Sequence, residues 1–184
     1  MEMDVVEGCR GQLGKVLLTL FFRNCSLMLA FFMDGNTKRN VLDVFHYLLD
    51  ELGEEVFRKT FPVILTDNDP SFKDSFSLES LETGKTLTHL YYCNPMASWQ
   101  NGWLEKNHEF IRYILPKGHS LDILTPEKVQ LMINHINNTA RASLNGHSPF
   151  KLAQLLLDRK VLNLCGLTSI PPDQVILQPT LLSL

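Results

Sequence analysis

Residues 16–33, VLLTLFFRNCSLMLAFFM, hold two seven-residue apolar runs around the polar centre Arg23-Asn24-Cys25-Ser26. A membrane-spanning helix needs about 20 apolar residues without such a break. The amino terminus carries Glu2, Asp4 and Glu7 where a signal peptide carries positive charge. The two runs therefore read as strands over 15–22 and 26–33, joined by a hairpin at Arg23–Ser26. Their near-continuous apolar character predicts cover on both faces of the sheet. No membrane is implied, and the expectation is a soluble, cytoplasmic chain.

A chain of 184 residues is enough for one domain with a sizeable core. Residues 2–8 read as a short strand, and 34–38, DGNTK, as a turn. Val41, Phe45, Leu48, Leu52 and Val56 recur at helical spacing and predict one helix over 39–58. A strand over 62–66 follows, then a polar loop, a strand over 86–93 and a break at Pro95. A helix is expected from about Ser98 to Leu115, with Trp103, Leu104, Phe110, Ile111, Ile114 and Leu115 on its apolar arc. Glu105, His108, Glu109, Arg112 and Tyr113 fall opposite. Thr125-Pro126 and Ser148-Pro149 open helices over 125–139 and 148–158. The organisation expected is a core over 1–160 and a tail over 161–184 packed against it. Three strands, a helix, two strands and further helices make an α/β fold with a mixed five-stranded sheet and helices on both faces. That order matches a ribonuclease-H-like fold.

Charge is uneven along the chain. Residues 1–94 hold nine Lys/Arg and fourteen Asp/Glu, a net of −5, and 95–160 hold eight and five, a net of +3. The first half suits cations and the second an anion. Cys9, Cys25, Cys93 and Cys165 form no CxxC pair, so neither zinc nor a disulfide framework is suggested.

The run Pro62–Leu65 ends abruptly in Thr66-Asp67-Asn68-Asp69-Pro70. Turn residues explain this at face value. In open α/β sheets, though, the carboxyl end of a central strand is also where chemistry is placed. Asp4 lies in the first strand, Asp67 ends the fourth, and Glu105 starts the helix after the fifth. Taken singly, Asp4 is a solvated strand end, Asp67 a turn cap and Glu105 a partner for Arg112. Taken together, this fold can point all three at one place. Two such carboxylates repel by about 4 kcal/mol at 4 Å and an effective dielectric near 20. A divalent cation relieves that cost, and an all-oxygen set favours Mg²⁺ or Mn²⁺. Two ions about 4 Å apart suit phosphodiester displacement.

MDVVEG, VILTDN and LEKNHEFIRYILPKG, followed by NNTARASLNGHSPFKLA, resemble the integrase core of bacterial DDE transposases of the insertion-sequence-thirty type, relatives of retroviral integrases. The resemblance runs from residue 2 to about 156. It implies metal-dependent DNA strand cleavage and strand transfer, with Asp4, Asp67 and Glu105 as catalytic metal ligands for two Mg²⁺ or Mn²⁺ ions. It also implies DNA, transposon ends and target, as partner, and homo-oligomers assembled on that DNA in a bacterial cytoplasm. Lys106, Arg112 and Lys117 are candidate phosphate contacts. Two departures stand out. The family has Asn-Gly after the second Asp; here it is Asn68-Asp69, which is expected to strain a positive-φ turn and to repel a phosphate. Full transposases of this type also carry helix-turn-helix segments, so the chain is expected to be a core, a fragment or a remnant. The alternatives are an impaired remnant that only binds DNA or a partner chain, and a plain nuclease of the same fold.

Overall fold

The computed structural model describes residues 1–8, 14–81, 84–94, 100 and 102–182. Five strands form one sheet: β1 (Glu2–Glu7), β2 (Val16–Phe22), β3 (Leu27–Met33), β4 (Val63–Thr66) and β5 (His89–Tyr92). Their order is β3-β2-β1-β4-β5. The β1–β2 and β2–β3 pairs are antiparallel; β1–β4 and β4–β5 are parallel. Every residue of β2 is buried, so its apolar run is covered on both faces, as expected of a central strand. The hairpin turns at Ser26, in the left-handed region at φ 56°.

The helix expected over 39–58 is two helices, α1 (Lys38–Leu52) and α2 (Glu54–Thr60). Gly53 separates them at φ 77°, a conformation costly for a side-chain-bearing residue, and its N–H closes the last turn of α1 on Leu49 O. The apolar spacing runs through the break, because Phe57 of α2 still reaches the same core. Phe57 packs on Phe45 and Phe61, and Phe61 on Phe22, with ring centroids 5.0–6.3 Å apart. The polar loop after β4 also differs. It holds a 3₁₀ turn (Pro70–Phe72) and a helix, α3 (Ser75–Ser80), capped by Asp74. The strand expected over 86–93 is shorter, and Glu79 Oε1 accepts from Leu90 N (2.8 Å) on its outer edge.

The helix after β5 is α4 (Gly102–Ile114). The break at Pro95 and the start at Ser98 fall outside the described residues. Leu104, Asn107, Ile111 and Ile114 form the buried face of α4, and Leu115 beyond its end is also buried. Trp103 is not among them; it is 53% exposed. Asn107 is buried instead because its amide donates to Trp103 O one turn back (2.8 Å). α5 (Pro126–Asn138) and α6 (Pro149–Leu156) open at Thr125 and Ser148, whose hydroxyls accept from the third helical N–H, with Pro in the first turn of each. α7 (Arg159–Leu164) and two further 3₁₀ turns follow.

The polar residues of α5 act as clamps. Asn137 donates to Met28 O (2.7 Å) and accepts from Met28 N (3.0 Å) on the outer edge of β3. Asn134 bonds Gly166 O and Thr168 N, and Asn138 bonds Thr168 O and Ile170 N, all at 2.8–3.0 Å. Two amides one helical turn apart thus pair with alternate residues of an extended segment, as a neighbouring strand would. Among the described residues no helix is long and apolar enough to cross a membrane.

Candidate active site

Pairing of Glu2 with Leu65 and Met3 with Thr66 sets β1 against β4. Continuing that register by one residue brings Asp4 beside Asp67, at the carboxyl end of β4. Both line a cavity of about 790 Å³ with Asp69, Asn36, His108, Arg112 and Lys117. Glu105 lies in a neighbouring cavity of about 520 Å³ that shares His108, Arg112 and Lys117 and also holds Lys106. The structure therefore brings Asp4 and Asp67 together and sets Glu105 one cavity away. Among the described residues no three His, Cys, Asp or Glu side chains are close enough to hold a metal ion.

Asp4 is the most perturbed group of the site. Burial, followed by the charges of Asp67, Glu105 and Asp69, pushes its carboxyl up to about 7, against an opposing hydrogen bond from Val5 N. That hydrogen bond is 2.7 Å long. Asp4 O accepts from Thr19 Oγ1 (3.0 Å), directly across the β1–β2 pair. Thr19 Oγ1 also lies 2.9 Å from His108 Nε2. Thr19 has one proton, committed to Asp4 O, so His108 Nε2 carries the hydrogen and donates it to Thr19. Burial, with Arg112 nearby, holds His108 down to about 4, so the ring is neutral at pH 7. Its bare Nδ1 then faces Asp4 Oδ2 at 3.8 Å, and the two do not form an ion pair. His108 lies within LEKNHEFIRYILPKG, but nothing in that motif points to Thr19, 89 residues away.

Arg112 Nη2 donates to Glu7 O (2.8 Å), and its Nη1 is buried with no protein partner. Lys117 is exposed on the loop after α4. That loop lies tight on the end of β1: a Cβ at Gly8 would stand 2.5 Å from His119 O.

Asp69 corrects an expectation. Its φ is −57°, so no positive-φ turn exists there to be strained. Its Oδ1 accepts from Ser71 N (2.8 Å) and Ser71 Oγ (2.6 Å), capping the 3₁₀ turn, and its Oδ2 accepts from Asn36 Nδ2 (3.2 Å). Its own N–H donates to Asp67 Oδ1 (3.0 Å). Pro70 follows Asp69, which disposes it to extended backbone.

Over 72 residues, 39% of its length, the chain is 36% identical to the transposase of insertion sequence element IS1086 of Cupriavidus metallidurans. Over 72 residues it is 29% identical to the InsI transposase of element IS30A of Escherichia coli K12. The chain matches a bacterial IS30-type, integrase-like core. The matched stretch covers 21% and 19% of those two relatives, so the chain spans about a fifth of their length. No family model matches it. Among solved structures it is similar to the catalytic core domain of BIV integrase, with a TM-score of 0.55, 18% identity, and 84% of this chain and 92% of that one covered. A chain of the simian T-cell lymphotropic virus intasome aligns with a TM-score of 0.60 at 12% identity, covering 82% of this chain and 52% of that one. The HTLV-2 integrase catalytic core, determined in complex with magnesium, aligns with a TM-score of 0.51 at 16% identity, covering 82% and 92%. The fold of this core is ribonuclease-H-like.

Proposed function

We propose that this core is the catalytic unit of a DNA transposase, cleaving and joining DNA strands with divalent metal ions. The observation that carries the reading is the juxtaposition of Asp4, within β1, and Asp67, just past the end of β4. There burial and three further carboxylates hold the Asp4 carboxyl at about 7. The donors are all hard oxygens, which fits Mg²⁺ or Mn²⁺. Asp4, Asp67 and Glu105 would hold two such ions, with Glu105 turning in from the adjoining cavity. Once bound, the ions supply Lewis-acid activation of the attacking and leaving oxygens. Thr19, bonded by neutral His108, fixes the Asp4 carbonyl. Arg112 Nη1, unpartnered within the protein, and Lys117 would receive phosphate oxygens, with Lys106 on the Glu105 side. DNA and further copies of the chain are the partners in this reading. Residues 1–160 form the working unit and 161–184 a tail, whose Val161, Leu162, Leu167 and Leu182 join the core.

A second reading is an impaired core that binds DNA without cutting it. It is favoured by Asp69, which adds a negative charge to the cavity, and by the separation of Glu105 from the other two carboxylates. One experiment decides between them. Wild type, Asp67→Asn and Glu105→Gln are melted with and without millimolar Mn²⁺ and then offered a pre-formed end duplex. A metal-dependent rise in Tm that Asp67→Asn lacks, with nicking that Glu105→Gln lacks, supports the transposase core. The rise without nicking supports the impaired core. No rise in any of the three rejects the metal site.

A further inference from the structure

Glu2 is a carboxylate with no exposure at all, two residues before Asp4 on the same strand. A fully buried Glu is rare and has to be accounted for by its partners. Its Oε2 accepts from Leu104 N (2.7 Å), in the first turn of α4. Its Oε1 lies against Arg23 Nε as an ion pair but accepts no hydrogen bond among the described residues. Arg23 sits on the β2–β3 turn, is half exposed, and donates through Nη2 to Gln100 O (3.4 Å), just before α4 begins. One carboxylate and one guanidinium thus tie the start of α4 to β1 and to the hairpin. A negative charge at that end also suits the helix dipole. Leu104 immediately precedes Glu105.

We propose that Glu2, with Arg23, is a positioning residue that sets the axial place of α4 and so the place of Glu105 relative to Asp4 and Asp67. Glu2 touches neither DNA nor metal; it acts through Leu104. This rests on the assignment of Glu105 as a metal ligand, but half of its test does not. β1 then carries both a ligand, Asp4, and the anchor of the element that bears another ligand. A shift of β1 along β4 would move both together and keep their spacing.

The test uses two readouts on the full chain. Amide exchange at Leu104 is followed without metal, and Mn²⁺ affinity is measured by titration, for wild type, Glu2→Gln, Glu2→Ala, Glu105→Gln and the Glu2→Ala/Glu105→Gln double variant. Losing a hydrogen bond to a charged group should speed exchange at Leu104 by about tenfold or more in Glu2→Ala. Mn²⁺ affinity should fall by about tenfold or more, as for an outer-shell partner. The double variant should bind no more weakly than Glu105→Gln alone, because Glu2 acts only through it. Glu2→Gln keeps an acceptor for Leu104 and should restore most of both readouts. Unchanged exchange overturns the proposal whether or not metal binds. Faster exchange with unchanged affinity, or losses that multiply in the double variant, overturns it too, since Glu2 would then be only a helix cap. If wild type binds no Mn²⁺, the metal reading fails by itself and the exchange readout decides the tether. If Glu2→Ala does not fold, Glu2→Met, which fills the same space without an acceptor for Leu104, carries the same two readouts, and wild-type values for both overturn the proposal.

Discussion

Asp4 and Glu105 face neighbouring cavities, yet their supports have little in common. Asp4 sits on β1 between β2 and β4, with its carboxylate bonded by Val5 N and its carbonyl by Thr19 Oγ1, and with His108 beside it. Glu105 is exposed on α4, and the first turn of that helix is held to the sheet through Glu2. The strand side is held by ladders on both edges and by the core; the helix side is held by buried Leu104, Ile111 and Ile114 and by polar ties at its first turn, while Glu105 itself faces outward. A site divided in this way can keep one half rigid while the other adjusts to a ligand. The two halves should therefore respond very differently to substitution.

The largest expected effect strikes the strand half. Phe21→Ala, in the fully buried β2 beside Glu2, should cost about 3–5 kcal/mol in urea unfolding. Next comes a pH experiment on the metal-free protein. Asp4 is raised from 3.8 to about 7 in the folded state, so its contribution is present below pH 3.8 and lost as pH rises towards 7. His108 is lowered from 6.5 to about 4, so its contribution is present above 6.5 and lost as pH falls towards 4. Between about pH 4 and 6.5 the two slopes oppose. Relative to wild type, Asp4→Asn should lose stability on acidification, and His108→Gln should gain it, each by on the order of 1–4 kcal/mol. Urea midpoints at pH 4.5 and 7.5 check the opposite signs, and parallel profiles would remove the neutral His108 from the account.

A smaller effect is expected at Thr19. Thr19→Val keeps the shape but removes the hydroxyl bonded to Asp4 O and leaves His108 Nε2 without it, at about 1–3 kcal/mol in the same unfolding assay. Asp69→Gly should destabilise by about 1 kcal/mol through loss of the Ser71 cap, read as a lower Tm. A rise in Tm would show that charge repulsion outweighs the cap. The smallest effect belongs to the helix half. Glu105→Gln, exposed in the first turn of α4, should change stability by less than about 0.5 kcal/mol while removing metal-dependent nicking.

Much of this fold is written in short-range signals. The hairpin follows from two apolar runs, and α5 and α6 from Thr125-Pro126 and Ser148-Pro149. Asp67 stood out because an apolar strand that runs into a carboxylate is a local pattern, whereas Asp4, inside β1, comes beside it only through the pairing of β1 with β4. Gly53 was not, since the apolar spacing continues across it and only its φ breaks the helix. α3 was hidden because Ser75–Ser80 has little apolar periodicity and is started by Asp74. Trp103 misled because burial on a helix depends on which neighbour it meets, and Asn107 satisfies itself within α4. Asp69 misled because a glycine at this place in the resembling transposases suggested a positive φ, whereas Asp69, before Pro70, is extended at φ −57°. Glu2, Thr19 and His108 were out of reach for another reason: their partners lie 102, 15 and 89 residues away. Nothing in the residue types announces pairings of that span.

Asn137 bears on a different property, the behaviour of the protein in a crowded solution. β3 is an outer strand of apolar residues, the kind of edge on which a second chain can add itself and begin a fibre. By taking both the N–H and the C=O of Met28, a single buried amide closes the start of that template without a charge or a proline. Light scattering from Asn137→Ala at high concentration would show how much of the resistance to aggregation rests on that one side chain, which occupies Met28 on this edge of the sheet.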